Sequence, residues 1–102
     1  MAKKKIILFC AAGMSTSLLV TKMQEVAKKA GLDYEIHAYS MALAEEKGSD
    51  ADAILIGPQV RFAINQLKKK LPDRKIEAIN MEAYGLMDGA AVLKQAQRMM
   101  KE

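Results

Sequence analysis

One stretch near the amino terminus combines a strand, a tight loop and the start of a helix: Lys5-Ile6-Ile7-Leu8-Phe9-Cys10-Ala11-Ala12-Gly13-Met14-Ser15-Thr16-Ser17. Its first half is a nearly continuous apolar run, which is typical of a central strand buried on both faces. The run ends at Cys10, the only cysteine in the sequence. This order of elements leaves backbone N–H groups at a helix N-terminus aimed at the space in front of Cys10, and such groups attract an anion.

Cys10 has a structural and a chemical interpretation. A lone cysteine after an apolar strand is in most sequences a small buried hydrophobic residue. Its position at the end of the strand favours chemistry, because a helix N-terminus stabilises the thiolate, which is the nucleophilic form. Residues 11–13 are small enough for the backbone to wrap around a tetrahedral anion, and residues 15–17 can cap the helix or donate hydrogen bonds to the same oxygens. We therefore interpret Cys10 as a nucleophile that faces a phosphate-sized cradle.

The rest of the sequence alternates between strand and helix patterns. Strands are predicted at residues 5–10, 34–39, 51–57 and 75–79, and helices at 16–30, 41–47, 58–71 and after Asp88, with a loop at 80–87. The alternating pattern of residues 34–39 places that strand near the edge of the sheet. The helix at 58–71 is predicted to bury one stripe of apolar residues: Val60, Ala63, Ile64, Leu67 and Leu71. This alternation predicts an α/β fold with a single four-stranded parallel sheet, strand order 2-1-3-4, and helices on both faces. Ligands of such sheets bind at the carboxyl ends of the strands where the winding reverses. We expect the Cys10 loop to meet Gly57-Pro58-Gln59 there.

The composition indicates one globular domain. The chain has 102 residues, of which 51% are hydrophobic and 27% charged, enough for one core and too few for two domains. We therefore expect a single domain over residues 1–102, present as a monomer. No apolar run of about 18 residues and no signal-peptide pattern occurs, so we expect a cytoplasmic protein without direct membrane insertion.

Metal, cofactor and nucleic-acid binding are not indicated. One cysteine and one histidine, His37, give neither a metal-ligand spacing nor an internal disulfide. No metal and no cofactor are expected, and His37 is predicted to be a surface residue. The net charge is +4, yet the basic residues are scattered and aromatic residues total 5%. Because aromatic residues that could stack on bases are not interleaved with the basic ones, we expect no nucleic-acid partner. The basic surface is interpreted as solvated, and an acidic or phosphorylated protein is the alternative partner.

The predicted fold resembles that of low-molecular-weight tyrosine phosphatases. The spacing from Cys10 to Thr16-Ser17 also resembles their phosphate loop, in which five residues separate cysteine from arginine and serine. Thr16 stands at the position of the arginine, so the charge on a transferring phosphoryl group is less strongly compensated. No Asp-Pro acid loop is evident either. The site is thus better suited to accepting phosphate on sulfur than to hydrolysing an unactivated ester. A phosphohistidine donor would fit, since a protonated imidazole leaves readily.

The chain also resembles, nearly end to end, enzyme IIB of the sugar phosphotransferase system, in the lactose, cellobiose and N,N'-diacetylchitobiose group. The resemblance is carried by residues 7–20, Glu46-Lys47-Gly48, Leu55-Ile56-Gly57-Pro58-Gln59, Tyr84-Gly85 and Asp88-Gly89. It implies a phosphotransferase for uptake of a β-linked disaccharide, in which Cys10 accepts a phosphoryl group from a phosphohistidine of enzyme IIA. It implies that membrane enzyme IIC holds the acceptor sugar. The phosphate-binding residues implied by the resemblance are Ala11, Ala12, Gly13, Met14, Ser15, Thr16 and Ser17.

Two other functions and several weaker sites stay open at this point. The alternatives are a low-molecular-weight phosphatase or arsenate reductase, and a non-enzymatic binding module of flavodoxin-like shape. Gln59 and Tyr84 are candidates for contacts at the rim of the site or with a partner. The alternative for Gln59 is a residue in the first turn of a helix, and the alternative for Tyr84 is to cover the core. The eight methionines are interpreted as core filling, with Met14, Met81 and Met87 as an alternative docking patch.

Overall fold

A four-stranded parallel sheet forms the centre of the computed structural model, which describes residues 3–11 and 14–102, without the side chains of Met14 and Ser15. Its strands are β1 (Lys4–Cys10), β2 (Tyr34–Ser40), β3 (Ala53–Ile56) and β4 (Ile76–Ala78). They lie in the order β2-β1-β3-β4, and every neighbouring pair is parallel. The predicted fold class and strand order are confirmed.

Helices connect the strands. In chain order they are α1 (Met14–Lys29), α2 (Ala44–Lys47), α3 (Ile64–Lys70), α4 (Met81–Gly85) and α5 (Gly89–Met100). Short 3₁₀ segments, Met41–Leu43 and Pro58–Ala63, lead into α2 and α3. The predicted alternation of strand and helix therefore holds along the described chain.

Two hydrophobic clusters cover the two faces of the sheet. Successive side chains of a strand point to opposite faces, so Ile6 and Leu8 join one cluster while Ile7 and Phe9 join the other. The first cluster is completed by α1 and α5, chiefly through Leu19, Met23, Val92 and Leu93. The second is completed by Ala44, Val60 and Leu67. Because β1 and β3 are buried on both faces, their sequences read as continuous apolar runs, as predicted.

The predicted ends of two helices are also confirmed. Gly31 has a φ of +71° and follows α1, where its N–H donates to the Lys28 carbonyl and the next N–H, of Leu32, donates to the Ala27 carbonyl. This pair of bonds is the Schellman motif, which requires a left-handed residue. At α5, the Asp88 Oδ1 accepts a hydrogen bond from the Ala91 N–H at 3.1 Å. Asp88 is therefore the N-cap that its position indicates.

The loop predicted at residues 80–87 is wrong, because this segment contains α4. Asn80 starts the helix: its side-chain Oδ1 accepts from the Ala83 N–H at 2.9 Å, and its carbonyl accepts from the Tyr84 N–H at 2.9 Å. Ala83 is buried against the first cluster. A helix of one turn is too short to show a periodic pattern, so its cap and its single buried contact decide the structure.

The helix predicted after Pro58 is divided into two parts. Residues 58–63 form a 3₁₀ segment with non-helical angles at Val60 (φ −121°, ψ 20°), and α3 begins only at Ile64. Of the predicted buried stripe, Val60 and Leu67 are buried, whereas Ala63, Ile64 and Leu71 are half-buried. The change from three to 3.6 residues per turn shifts the apolar positions away from one common face.

Candidate functional site

Cys10 is the last residue of β1, between the carboxyl ends of two other strands. On one side it is level with Ser40 in β2. On the other side the chain leaving β3 passes very close: the Gly57 N–H donates to the Phe9 carbonyl at 2.7 Å, and a Cβ added at Gly57 would lie 3.1 Å from the Cys10 Cβ. The predicted meeting of Cys10 and Gly57 is confirmed. Glycine fits there because a side chain would press on Cys10.

The first turn of α1 lies directly against the sulfur. Thr16 Oγ1 is 3.0 Å from Cys10 Sγ, and Thr16 is fully buried. Since Thr16 is the third residue of α1, this contact brings the positive end of a sixteen-residue helix to the thiol. A negative charge on the sulfur, or on a group bound to it, is stabilised in that position.

The thiol is more enclosed than the sequence suggests. Cys10 is only 4% exposed, whereas the sequence predicted a nucleophile that faces a phosphate-sized cradle. Thr16 contributes to this burial, because its hydroxyl oxygen lies 3.0 Å from the sulfur, a contact that sequence spacing alone does not indicate. Because water is partly excluded and the local dielectric constant is low, a hydrogen-bond donor that contacts the sulfur stabilises negative charge there more strongly than it would in water.

The predicted phosphate-binding residues are only partly described. Ala11 and Ser17 are exposed and Thr16 is buried. Ala12 and Gly13, and the side chains of Met14 and Ser15, lie outside the described residues. The phosphate-binding loop therefore stays a prediction, and the described contacts at the site join Cys10 to Thr16 and to Gly57.

Gln59 and Tyr84 occupy different positions. Gln59 is exposed, and its Oε1 lies 3.5 Å from the position that a Cβ on Gly57 would take, which places the amide beside the Cys10–Gly57 contact. Tyr84 is half-buried in α4 and packs against the cluster formed by α1 and α5. The plainer role that the sequence left open for Tyr84, covering the core, agrees with this packing. A rim or partner contact stays a prediction for both residues.

Several large apolar side chains are exposed, and of these the sequence indicated only Met81, as part of the possible docking patch. The large exposed apolar residues of the described chain are Leu18 (53% exposed), Leu43 (39%), Phe62 (81%), Met81 (64%) and Leu86 (69%). Phe62 had no signal of its own apart from falling outside the predicted buried stripe. Of the methionine patch, Met81 is exposed, Met87 packs against the core, and the Met14 side chain lies outside the described residues.

Charged networks lie at the opposite, amino-terminal end of the sheet. Lys5 Nζ is 2.8 Å from Asp50 Oδ2, which raises the pKa of Lys5 and lowers that of Asp50. His37 Nε2 is 3.1 Å from Glu35 Oε1, and this hydrogen bond lowers the pKa of Glu35. His37 is partly exposed, in agreement with its prediction as a surface residue. Within residues 3–11 and 14–102, no group of three or more acidic, histidine or cysteine side chains could hold a metal ion.

Comparison with known proteins identifies the family. Residues 5–95 match the family described as "PTS system, Lactose/Cellobiose specific IIB subunit". The chain belongs to this family. IIB subunits of the phosphotransferase system (PTS) are phosphotransferases, which agrees with a cysteine enclosed at the carboxyl edge of a parallel sheet. No helix in the described part of the chain is both long enough and apolar enough to cross a membrane.

Two relatives match this IIB subunit over nearly its whole length. The oligo-beta-mannoside-specific EIIB component of Bacillus subtilis (strain 168) is 48% identical over 99 residues, covering 95% of this chain and 96% of the relative. The galactose-specific EIIB component of Lactococcus lactis subsp. cremoris (strain MG1363) is 46% identical over 107 residues, covering 98% and 99%. The resemblance predicted from the Cys10 stretch is confirmed.

Solved structures confirm the fold. The solution structure of the cellobiose-specific IIB component from Borrelia burgdorferi superimposes with a TM-score of 0.81 at 34% identity, covering 98% of this chain and 94% of that one. A low-molecular-weight protein tyrosine phosphatase from Bacillus subtilis gives a TM-score of 0.57 at 13% identity, covering 95% and 90%. At that identity the second similarity concerns the fold alone, as the sequence analysis expected for this architecture.

Proposed function

We propose that this IIB subunit carries a phosphoryl group on Cys10, receives it from a phosphohistidine of enzyme IIA and delivers it to a sugar held by membrane enzyme IIC. The observation that carries the proposal is the position of Cys10 at the carboxyl end of β1, with the first turn of α1 against its sulfur. The proposal places this transfer in the cytoplasm, by a single domain acting as a monomer.

The first transfer exchanges a P–N bond for a P–S bond. The thiol of Cys10 first loses its proton to solvent, and a sulfur lone pair then attacks phosphorus in line with the bond to the donor. The electron pair of the broken P–N bond stays on the imidazole nitrogen, and because the other ring nitrogen carries a proton, the donor leaves as neutral imidazole. Positioning and electrostatics suffice for such a leaving group.

The second transfer regenerates the thiolate. A sugar hydroxyl oxygen attacks phosphorus, the P–S bond breaks, and its electron pair returns to the sulfur of Cys10. The hydroxyl proton passes to a general base that we assign to the membrane partner, because no carboxylate or histidine follows Cys10 in its loop. The role of this subunit is then to hold and present the phosphoryl group.

The proposed substrate class is a β-linked disaccharide of the cellobiose, chitobiose or lactose type. The family description names lactose and cellobiose, and the relatives are named for oligo-beta-mannoside and galactose. This range of sugar names among similar IIB components agrees with sugar selection by the membrane subunit. The function of the IIB subunit concerns the phosphoryl group, whichever sugar is transported.

The experiment is transfer of radiolabelled phosphate from phosphorylated enzyme IIA to the purified subunit. Label is expected on Cys10 in the wild type and absent as phosphocysteine from Cys10→Ser, with phosphorus NMR used to identify the P–S bond. The matched control is His37→Asn, which removes the only histidine in the sequence and is expected to label normally. Label on His37, or none on the folded wild type, contradicts the proposal. Release of p-nitrophenol from its phosphate ester would favour the phosphatase alternative.

A further inference from the structure

Thr16 is one of two buried polar side chains in the described chain, and the two have different roles. Gln95 is 7% exposed and hydrogen-bonds to backbone groups at the edge of β4. Thr16 is fully buried with Oγ1 3.0 Å from the sulfur of Cys10. Burying a hydroxyl is unfavourable unless it forms hydrogen bonds. The hydroxyl of Thr16 lies within hydrogen-bonding distance of the atom that reacts in the proposed function.

We propose that Thr16 is a catalytic residue that donates its hydroxyl proton to the Cys10 thiolate; its place in phosphoryl transfer rests on the proposed function. In the neutral thiol, either atom can be the donor. Once the thiol has ionised, the sulfur carries no proton, so Thr16 O–H must donate. A hydrogen bond to a charged acceptor is stronger than one between neutral groups. The contact therefore favours the ionised, nucleophilic sulfur.

The same hydrogen bond serves both halves of the transfer. It raises the fraction of thiolate available for attack on the phosphohistidine, while intrinsic nucleophilicity falls by a smaller factor. In the second half it stabilises the thiolate as it leaves phosphorus. While the P–S bond exists, the negative charge resides on the phosphoryl oxygens, and the Thr16 hydroxyl turns to one of them. The Thr16 hydroxyl thus donates to the sulfur when the sulfur is charged and to the phosphoryl group while the P–S bond exists. In the phosphatase loop an arginine stands at the position of Thr16.

The test is the pH dependence of Cys10 alkylation by iodoacetamide, followed by the mass of the intact protein. The chain has a single cysteine, so the mass change reports Cys10 alone. Thr16→Val replaces the hydroxyl with a methyl group of similar size, and is expected to move the midpoint of the alkylation profile upward by about one to two pH units. Thr16→Ser keeps a hydroxyl and is expected to restore the wild-type midpoint.

A matched control lies on the same helix. Thr21→Val makes the same substitution at an exposed residue whose hydroxyl donates to the Ser17 carbonyl at 3.1 Å, and the wild-type midpoint is expected. An unchanged midpoint in folded Thr16→Val overturns the proposal. So does an equal shift in Thr16→Val and Thr16→Ser, because that result would assign the effect to packing. If Thr16→Val does not fold, the proposal is decided by Thr16→Ala measured against Thr16→Ser.

Alkylation requires neither enzyme IIA nor sugar, so the two proposals can fail separately. If the alkylation midpoint of Thr16→Val moves upward as expected but wild-type Cys10 takes up no label from enzyme IIA, the phosphocarrier function is overturned and the interaction of Thr16 with the thiolate is retained. If wild-type Cys10 is labelled but the alkylation profile of Thr16→Val is unshifted, the phosphocarrier function is retained and the proposed role of Thr16 is overturned. If both proposals hold, transfer from phosphorylated enzyme IIA to Thr16→Val is slowed about tenfold or more at neutral pH and approaches the wild-type rate above both midpoints.

Discussion

Gln95 and Asn80 are joined at the outer edge of β4. The side-chain Oε1 of Gln95 accepts from the Asn80 N–H at 3.0 Å, and its Nε2 donates to the Ala78 carbonyl at 2.8 Å. Since β3 lies on the other side of β4, the carboxamide occupies the place at which a further strand would pair. A side chain of α5 thereby satisfies edge backbone groups and fixes the junction at which α4 begins.

Replacing Gln95 by methionine is expected to lower the free energy of unfolding by about 1–3 kcal/mol, because the Asn80 N–H and the Ala78 carbonyl lose a buried partner. Methionine has a similar length, so packing changes little. Urea denaturation followed by circular dichroism measures the effect. The control is Gln66→Met on the exposed side of α3, where little change is expected. Equal effects of the two substitutions would contradict the edge-capping role.

Replacing Gly31 by alanine is expected to destabilise the protein by about 1–2 kcal/mol, because an L-residue in the left-handed region is strained. The cost is conformational rather than steric, since a Cβ at Gly31 would meet nothing within 4 Å. Gly31→Asn should cost less, because asparagine tolerates this region. Thermal unfolding of the three proteins provides the measurement, and a more stable Gly31→Ala would rule out the Schellman geometry at the end of α1.

The positions and order of the strands could be predicted because burial imposes simple patterns of apolar residues on the sequence. Continuous apolar runs marked β1 and β3 as central strands, and the alternation around Ile36 placed β2 at an edge. The order of the strands then followed from right-handed crossovers. Once that order was given, the meeting of Cys10 with Gly57 required no further information, since carboxyl ends of parallel strands share one edge.

Details that depend on single side chains could not be predicted. The approach of Thr16 to the sulfur depends on how the first turn of α1 packs on β1, and three consecutive hydroxyl residues give no sign of which one turns inward. Gln95 looks in sequence like a polar residue of an amphipathic helix, and only the neighbouring strand edge makes it a buried one. The division of the helix after Pro58 depends on the backbone angles of Val60, which the apolar spacing of the segment does not indicate.

Acid should remove the stabilising effect of the Lys5–Asp50 ion pair. The pKa of Asp50 is below its ordinary value of 3.8 because Lys5 hydrogen-bonds to it. A lowered folded-state pKa means that the contribution is present above the unfolded value and is lost as pH falls through the folded value. The difference in free energy of unfolding between wild type and Asp50→Asn is therefore expected at neutral pH and should vanish well below pH 3.8.

The control for this pH experiment is Asp73→Asn, which changes an exposed carboxylate for which no interaction with Lys5 is expected. High salt should reduce the Asp50 effect, because both partners are partly exposed to solvent. Urea titrations at a series of pH values provide the free energies. A difference between wild type and Asp50→Asn that grows as the solution becomes more acidic would show that the ion pair does not stabilise the fold.

Replacing Gly57 by alanine tests whether the close approach of β3 to Cys10 matters for reactivity. The backbone angles of Gly57 (φ −57°, ψ 142°) suit alanine, so the effect must come from the new Cβ, which lies 3.1 Å from the Cys10 Cβ. Relief of that contact moves Cys10 by a few tenths of an ångström. Since a misplacement of about 1 Å can cost about 100-fold in rate, we expect phosphoryl transfer to slow about two- to fivefold.

Gly85→Ala is the matched control for Gly57→Ala. A Cβ at Gly85, in α4, would meet nothing within 4 Å, so alanine is expected to leave phosphoryl transfer unchanged and to stabilise the protein by about 0.4–1 kcal/mol. Transfer rates from phosphorylated enzyme IIA and thermal unfolding are measured on both variants. A folded Gly57→Ala with the wild-type transfer rate would mean that Cys10 tolerates displacement. The close packing of residue 57 would then serve stability, and the reacting geometry would depend on α1 and its Thr16 contact instead.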